Sequence, residues 1–284
     1  MAQKLPPEDF RSSRVVLDPD DFAVGDLEAD PSPSDLVDED TWDHLTTLPT
    51  DVSIRTSNEH GRHLRAQNDL TVAFSKPVIA ILDEPDEPIL WAMRDVSDEL
   101  YAATFDFLHG FYRQSVSSLR SSLELMLDGC ARAARGLPGG GRASGQFSFK
   151  RSADVIRAAP MVQVIDDKLD AACGRRLFGR SGHPAGEGWI GDLYGRLSDY
   201  AHARPGRTLG DTWCSNGPIY VGAAVQDVHI LFAETVCAAC VLASVGRPAL
   251  TFGAKIDLAF ASTEVTPTKI ASFALSEVCG CRFV

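Results

Sequence analysis

The stretch Phe105–Met126, FDFLHGFYRQSVSSLRSSLELM, decides the fold class. Its apolar residues Phe105, Leu108, Tyr112, Val116, Leu119, Leu123 and Met126 recur at spacings of three and four. That is the stripe of an amphipathic helix, not the alternation of a strand. Upstream, Ser97 followed by Asp98 and Glu99 predicts a start, because a hydroxyl cap and first-turn acids satisfy free amides. Downstream, Arg132, Arg135, Gly136 and Pro138 predict the stop. Gly110 marks a bend or a break between two helices.

Past this element, residues 136–145 read GLPGGGRASG, a linker. Arg142-Ala143-Ser144 stands where a phosphate-binding loop needs Lys followed by Ser or Thr, and a helix precedes it in place of a strand. Helical segments are expected near 152–172 and 188–203. A further helix from about Ala223 to Val245 is apolar all round, as the central member of a bundle should be. Its stretch Val228–Val245 contains His229 and Glu234 and lacks aromatic or basic flanks on both sides, so a buried core helix is favoured over a membrane span. Two segments read differently. Thr71–Leu82 holds short β-prone runs around Lys76-Pro77, and Lys255–Phe260 alternates with period two, so a small β element from 71–82 and 254–261 is expected. The fold class is therefore mostly α, a bundle of roughly four to five helices with that β element.

Charge divides the chain. Residues 1–51 hold fourteen Asp/Glu against Lys4, Arg11 and Arg14, a net of −11 out of −12 for the whole chain. With Pro6, Pro7, Pro19, Pro31 and Pro33 and scattered apolar residues, 1–51 reads as an acidic disordered tail, and 52–284 as a single mainly helical domain. Residues 130–210 carry thirteen Lys/Arg against seven Asp/Glu, a basic zone that suits an anionic ligand or is merely solvated. Seven cysteines form no disulfide-like framework, and no apolar leader follows the start; reduced thiols in a cytoplasmic protein are expected. Cys237-Ala-Ala-Cys240 lies in the apolar helix without a second pair, and Cys279-Gly-Cys281 is too tight for a zinc knuckle, so no metal site is expected.

One segment carries chemistry. Leu193–His202 reads LYGRLSDYAH, with five residues between Arg196 and His202. Together with the helix through Phe111–Leu125, it resembles the HEPN superfamily of helical bundles over about residues 95–245. The resemblance implies a metal-independent ribonuclease without cofactor, typical of toxin–antitoxin and phage-defence systems, with its site formed across a homodimer. It assigns His202 to proton transfer at the ribose 2′-hydroxyl and Arg196 to the growing phosphate charge. Both roles suit the groups, since imidazole titrates near neutrality and guanidinium forks onto phosphate oxygens. Leu197 follows Arg196 where active members usually carry a polar residue, and residues six apart on a straight helix point about 120° from one another.

Arg120 and Glu124, one turn apart, are candidates to orient the motif or else an ordinary intrahelical ion pair; Ser198 and Tyr200 complete the candidate set. The rival readings are a non-catalytic module that binds RNA or a nucleotide, or one that scaffolds a partner such as an antitoxin protein. In the plainest alternative, Arg196 pairs with Asp192 or Asp199 and His202 caps its helix.

Overall fold

The computed structural model describes residues 38–84, 86–138, 147–179, 188–202, 217–250, 252, 254–263, 265 and 268–280. The chain divides into two units, Met1–Trp42 and Asp43–Val284. In the first, helix α1 (Glu39–Trp42) is a single turn started by Asp38, whose carboxylate accepts from the Thr41 amide at 2.9 Å and hydroxyl at 2.8 Å. Of the stretch expected as a disordered tail, residues 1–37 lie outside the described residues and Glu39 onward is helical.

The second unit is a helical bundle. A π-helical turn (Asp43–Thr47) leads into α2 (Leu48–Ser75) and a 3₁₀ helix (Lys76–Leu82). The long helices α3 (Pro88–Leu108) and α4 (Tyr112–Ala134) come next, followed by the shorter α5 (Phe149–Arg157), α6 (Pro160–Cys173) and α7 (Trp189–Ala201). The central helix α8 (Gly222–Gly246) precedes α9 (Ala254–Ser262) and α10 (Lys269–Cys279). Helix α4 is the hub, touching α3, α5, α7 and α8. Its stripe Tyr112, Val116, Leu119, Leu123 and Met126 is fully buried. Burial contributes about 1.5–3 kcal/mol for each large apolar side chain.

Gly110 breaks the predicted helix in two. Its φ of +78° places it in the left-handed region, and a Cβ there would lie 2.2 Å from the Ile219 carbonyl oxygen and 2.8 Å from Val52 Cγ1. Beyond that break the stripe does not continue. Leu100, Ala103 and Phe107 form the buried face of α3, while Phe105 is exposed. The start of α3 also moves. Glu87 caps it by accepting from Ile89 N at 3.1 Å, with Pro88 at the first position. Ser97 sits inside the helix and donates to the Met93 carbonyl at 2.7 Å. The stop is as expected: Gly136 has φ +65°, and the Leu137 amide reaches back to the Arg132 carbonyl at 3.0 Å.

The expected β element is absent, and no strand occurs among the described residues. Residues 71–75 finish α2, where Gln67, Leu70, Thr71 and Phe74 are buried at helical spacing and Val72 is exposed. In α9, Ile256, Ala259 and Phe260 are buried whereas Leu258 is 71% exposed. A period-two reading would have hidden Leu258 with Ile256; the helical period turns it outward. Phe74 then stacks on Phe252 at 6.0 Å, joining these regions by side chains where backbone pairing was expected.

Helix α8 is long and apolar enough to cross a membrane, but it is largely buried within the bundle, against α2, α3, α4, α7 and α10. Cys237 and Cys240 lie buried in it.

Substituting Gly110→Ala is expected to cost about 2–4 kcal/mol, from left-handed strain and overlap with Ile219. Gly61→Ala, whose Cβ meets nothing within 4 Å on α2, should instead stabilise by about 0.5–1 kcal/mol. Urea midpoints of the two variants test this; equal midpoints would contradict it.

Candidate functional site

Helix α7 lies against both α4 and α8, and its two faces carry different chemistry. Trp189, Ile190, Leu193 and Leu197 are buried and fix its rotation. Its start is tight: a Cβ on Gly188 would sit 2.3 Å from the Gly179 nitrogen and 2.5 Å from Phe178 Cα, so only glycine permits this approach. With that rotation fixed, Tyr194 and the helix end at Ala201, seven residues apart, face α4, and Arg196 faces α8.

On the α4 side, four side chains converge. An Arg120 Nη1 hydrogen points at His202 Nε2 over 2.6 Å. The other Arg120 nitrogen, Nη2, donates to the Tyr194 hydroxyl at 3.1 Å and lies 2.8 Å from Glu124 Oε1. Tyr194 in turn donates to the same Glu124 oxygen at 2.9 Å. Arg113, two turns before Arg120, donates from Nε to the Ala201 carbonyl at 3.1 Å and so holds the end of α7. His202 is the residue that ends the helix, with φ −94° and its amide on the Ser198 carbonyl. Its ring is exposed, whereas Arg120 and Glu124 side chains are each only 24% exposed. The Tyr194 ring stacks on Phe149 of α5 at 4.5 Å.

Protonation states follow from these contacts. A guanidinium has only hydrogens to offer, so His202 Nε2 must present its lone pair and the ring proton resides on Nδ1. Burial raises the Tyr194 phenol above the usual tyrosine range, and Glu124 as acceptor adds to this while Arg120 opposes it. The hydroxyl therefore keeps its proton. Burial alone would weaken the Arg120 charge, but Tyr194 and Glu124 outweigh it and hold the guanidinium more firmly protonated than usual.

On the α8 side, Arg196 Nη2 pairs with Glu234 Oε2 at 2.6 Å, and the other Glu234 oxygen accepts from Trp189 Nε1 at 2.8 Å. Arg196 and His202 are thus not brought together; their divergence along α7 persists because His202 turns toward α4. Asp192 pairs instead with Arg175. Ser198 is buried with an unpartnered hydroxyl and takes no part in the cluster through its side chain, and Tyr200 is half-buried against the core. Arg120 and Glu124 join His202 as a set, with Tyr194 and Arg113 as additions that the sequence reading passed over. The signal for Arg113 was its spacing on α4, where residues 113 and 120 lie seven apart on one face.

Part of the basic zone is taken up in ion pairs where it is described. Arg157 pairs with Asp154 at 2.9 Å, Lys168 with Glu277 at 2.6 Å and Arg176 with Asp170 at 3.0 Å, and Arg175 pairs with Asp192. Arg142, Arg180, Arg204 and Arg207, together with the Gly-rich linker from 139, lie outside the described residues.

A second polar cluster joins α2 and α8. The His63 ring stacks between His60 (5.3 Å) and His229 (4.3 Å). His229 Nε2 donates to the Thr263 carbonyl at 2.9 Å, and His60 Nε2 meets the Tyr220 hydroxyl at 2.8 Å. Stacked rings do not converge on a common point. Among the described residues no three His, Cys, Asp or Glu side chains are grouped to hold a metal ion.

His63 sets a pH dependence. Burial, then the neighbouring His229, His60 and Arg62, push its pKa down from 6.5 to about 4. Below pH 6.5 the unfolded chain takes up a proton that folded His63 refuses until about pH 4. This contribution to stability is thus complete above pH 6.5 and is lost as the pH falls toward 4. Asp106 and Asp166, both raised to about 6 chiefly by burial, act in the opposite sense over that range. The difference between the wild type and His63→Leu isolates the histidine: the wild type should lose roughly 1–3 kcal/mol more on acidification. Parallel urea-midpoint curves for the two proteins would contradict it.

No family model, curated protein or solved structure matches this chain, and its functional reading rests on the α4–α7 contact.

Proposed function

We propose that the chain is a HEPN-like, RNA-directed protein whose α4–α7 contact is a metal-independent endoribonuclease site, of the kind that serves phage defence or toxin–antitoxin pairs in bacteria. One observation carries the reading: an exposed imidazole, His202, lies 2.6 Å from a guanidinium that Glu124 and Tyr194 brace from behind. That pairs a group able to move a proton near neutral pH with a fixed positive charge for a phosphate.

In the reaction proposed, His202 Nε2 takes the proton of a ribose 2′-hydroxyl. The 2′-oxygen bonds to the adjacent phosphorus, the bond from phosphorus to the 5′-oxygen breaks, and that oxygen takes a proton from water while His202 releases its proton to solvent. The products are a 2′,3′-cyclic phosphate and a 5′-hydroxyl end, with no change of oxidation state. Arg120 stabilises the charge on the non-bridging oxygens. Arg196 has a different part here, tying α7 to α8 through Glu234. The Arg120–His202 contact lies within one chain, so a homodimer would pair two such sites and is not needed to form either.

Single-stranded RNA incubated with the protein in a chelator tests this. The wild type should cleave it, with His202→Ala and Arg120→Ala each slower by about 10²–10⁴-fold. RNA left intact by the wild type, or cleaved equally by folded variants, overturns the nuclease reading. Loss of cleavage in a folded Arg196→Ala but not in Arg120→Ala would return the phosphate role to Arg196.

A further inference from the structure

We infer that His202 and a phosphodiester compete for the same guanidinium, so that the site is latched when empty and the ligand itself releases the base. The inference rests on the phosphate-directed reading of Arg120 given above and adds a mechanism of activation to it.

Three of the five Arg120 N–H donors have partners. Nη2 serves Tyr194 and Glu124, and Nε is buried without a partner, so ligand access is confined to the outward Nη1 end. That end is occupied by His202 Nε2. The imidazole nitrogen that a substrate hydroxyl would need is therefore already accepting a hydrogen bond. While the contact persists, the Nε2 lone pair is not open to a substrate hydroxyl.

A phosphodiester oxygen carries negative charge and is a stronger partner for guanidinium than a neutral imidazole. Its arrival at Nη1 displaces His202, which is free to turn because its ring is exposed and it follows the last residue of α7. Arg120 cannot follow the ring outward, being held by Glu124 and Tyr194, and Arg113 keeps Ala201 in place. The imidazole then swings on its own side-chain bonds beside the phosphate it must serve. The Nε2 lone pair is open only where an anion is bound, which keeps the empty protein inert.

Competition has a signed consequence. Removing His202 deletes the internal competitor and should tighten phosphodiester binding, whereas an ordinary contact residue would weaken it. The probe is thymidylyl-thymidine, a phosphodiester that lacks a 2′-hydroxyl and cannot undergo transesterification. By calorimetry, His202→Ala should bind it about fivefold or more tightly than the wild type, and Arg120→Ala should not bind it. Equal or weaker binding by His202→Ala, or no binding by either protein, overturns the inference. A second measurement needs no variant to fold. In the ¹⁵N spectrum of the imidazoles, the free wild type should show His202 protonated at Nδ1 and unprotonated at Nε2. Saturation with the dinucleotide should move Nε2 upfield, toward the protonated type. An unchanged His202 spectrum at saturation overturns the latch. RNA cleavage, measured separately, is independent of these results. Cleavage that depends on both residues without tighter binding in His202→Ala removes the latch alone. Tighter binding without cleavage keeps the latch and removes the nuclease.

Discussion

Arg120 and Glu124 are flanked in sequence by Leu119 and Leu123, and both leucines are fully buried against the bundle. The polar pair therefore cannot rotate about the α4 axis without withdrawing the stripe that holds α3, α7 and α8 together. Withdrawing two buried leucines would cost about 3–6 kcal/mol, more than any surface ion pair returns. Core packing thus fixes a guanidinium in space, and the chemistry proposed for the site depends on that. Gly110 allows it by letting α3 fold back on α4, so that Phe107 and Tyr112 share a core within a few residues of the turn.

Helix α7 is fixed in a second way. Glu234 is a buried carboxylate in a mostly apolar helix, and each of its oxygens has a donor from α7, Trp189 on one and Arg196 on the other. A buried charge left without partners is costly, so the pair acts as a register pin more than as a source of net stability. Arg113 at the far end of α7 complements it by capping Ala201. Held at its start and middle by α8 and at its end by α4, the helix presents His202 at one defined position.

Much of this was legible in sequence. The α4 stripe, the all-round apolar α8 and the pair Arg120–Glu124 follow from helical period, and the break from the glycine at position 110. The misreadings have physical causes. Short runs such as Thr71–Phe74 and Ile256–Phe260 satisfy either period over so few residues, and only the exposure of Val72 and Leu258 decides between them. Phe105 looked like core because the stripe was carried across Gly110, where the rotation restarts. The pairing of His202 with Arg120 in place of Arg196 was not readable, because it depends on which α7 face meets α4 and which meets α8. Glu234 held the missing information. A carboxylate in an apolar helix demands a cation, and Arg196 is the one that answers.

The central claim is that Arg120 and His202 work as one unit, and a double-substitution cycle on RNA cleavage tests it most directly. If they act together, the Arg120→Ala, His202→Ala double variant is slower than the slower single variant by no more than a few-fold. If instead the two losses multiply, the residues act independently and the account of the site is wrong.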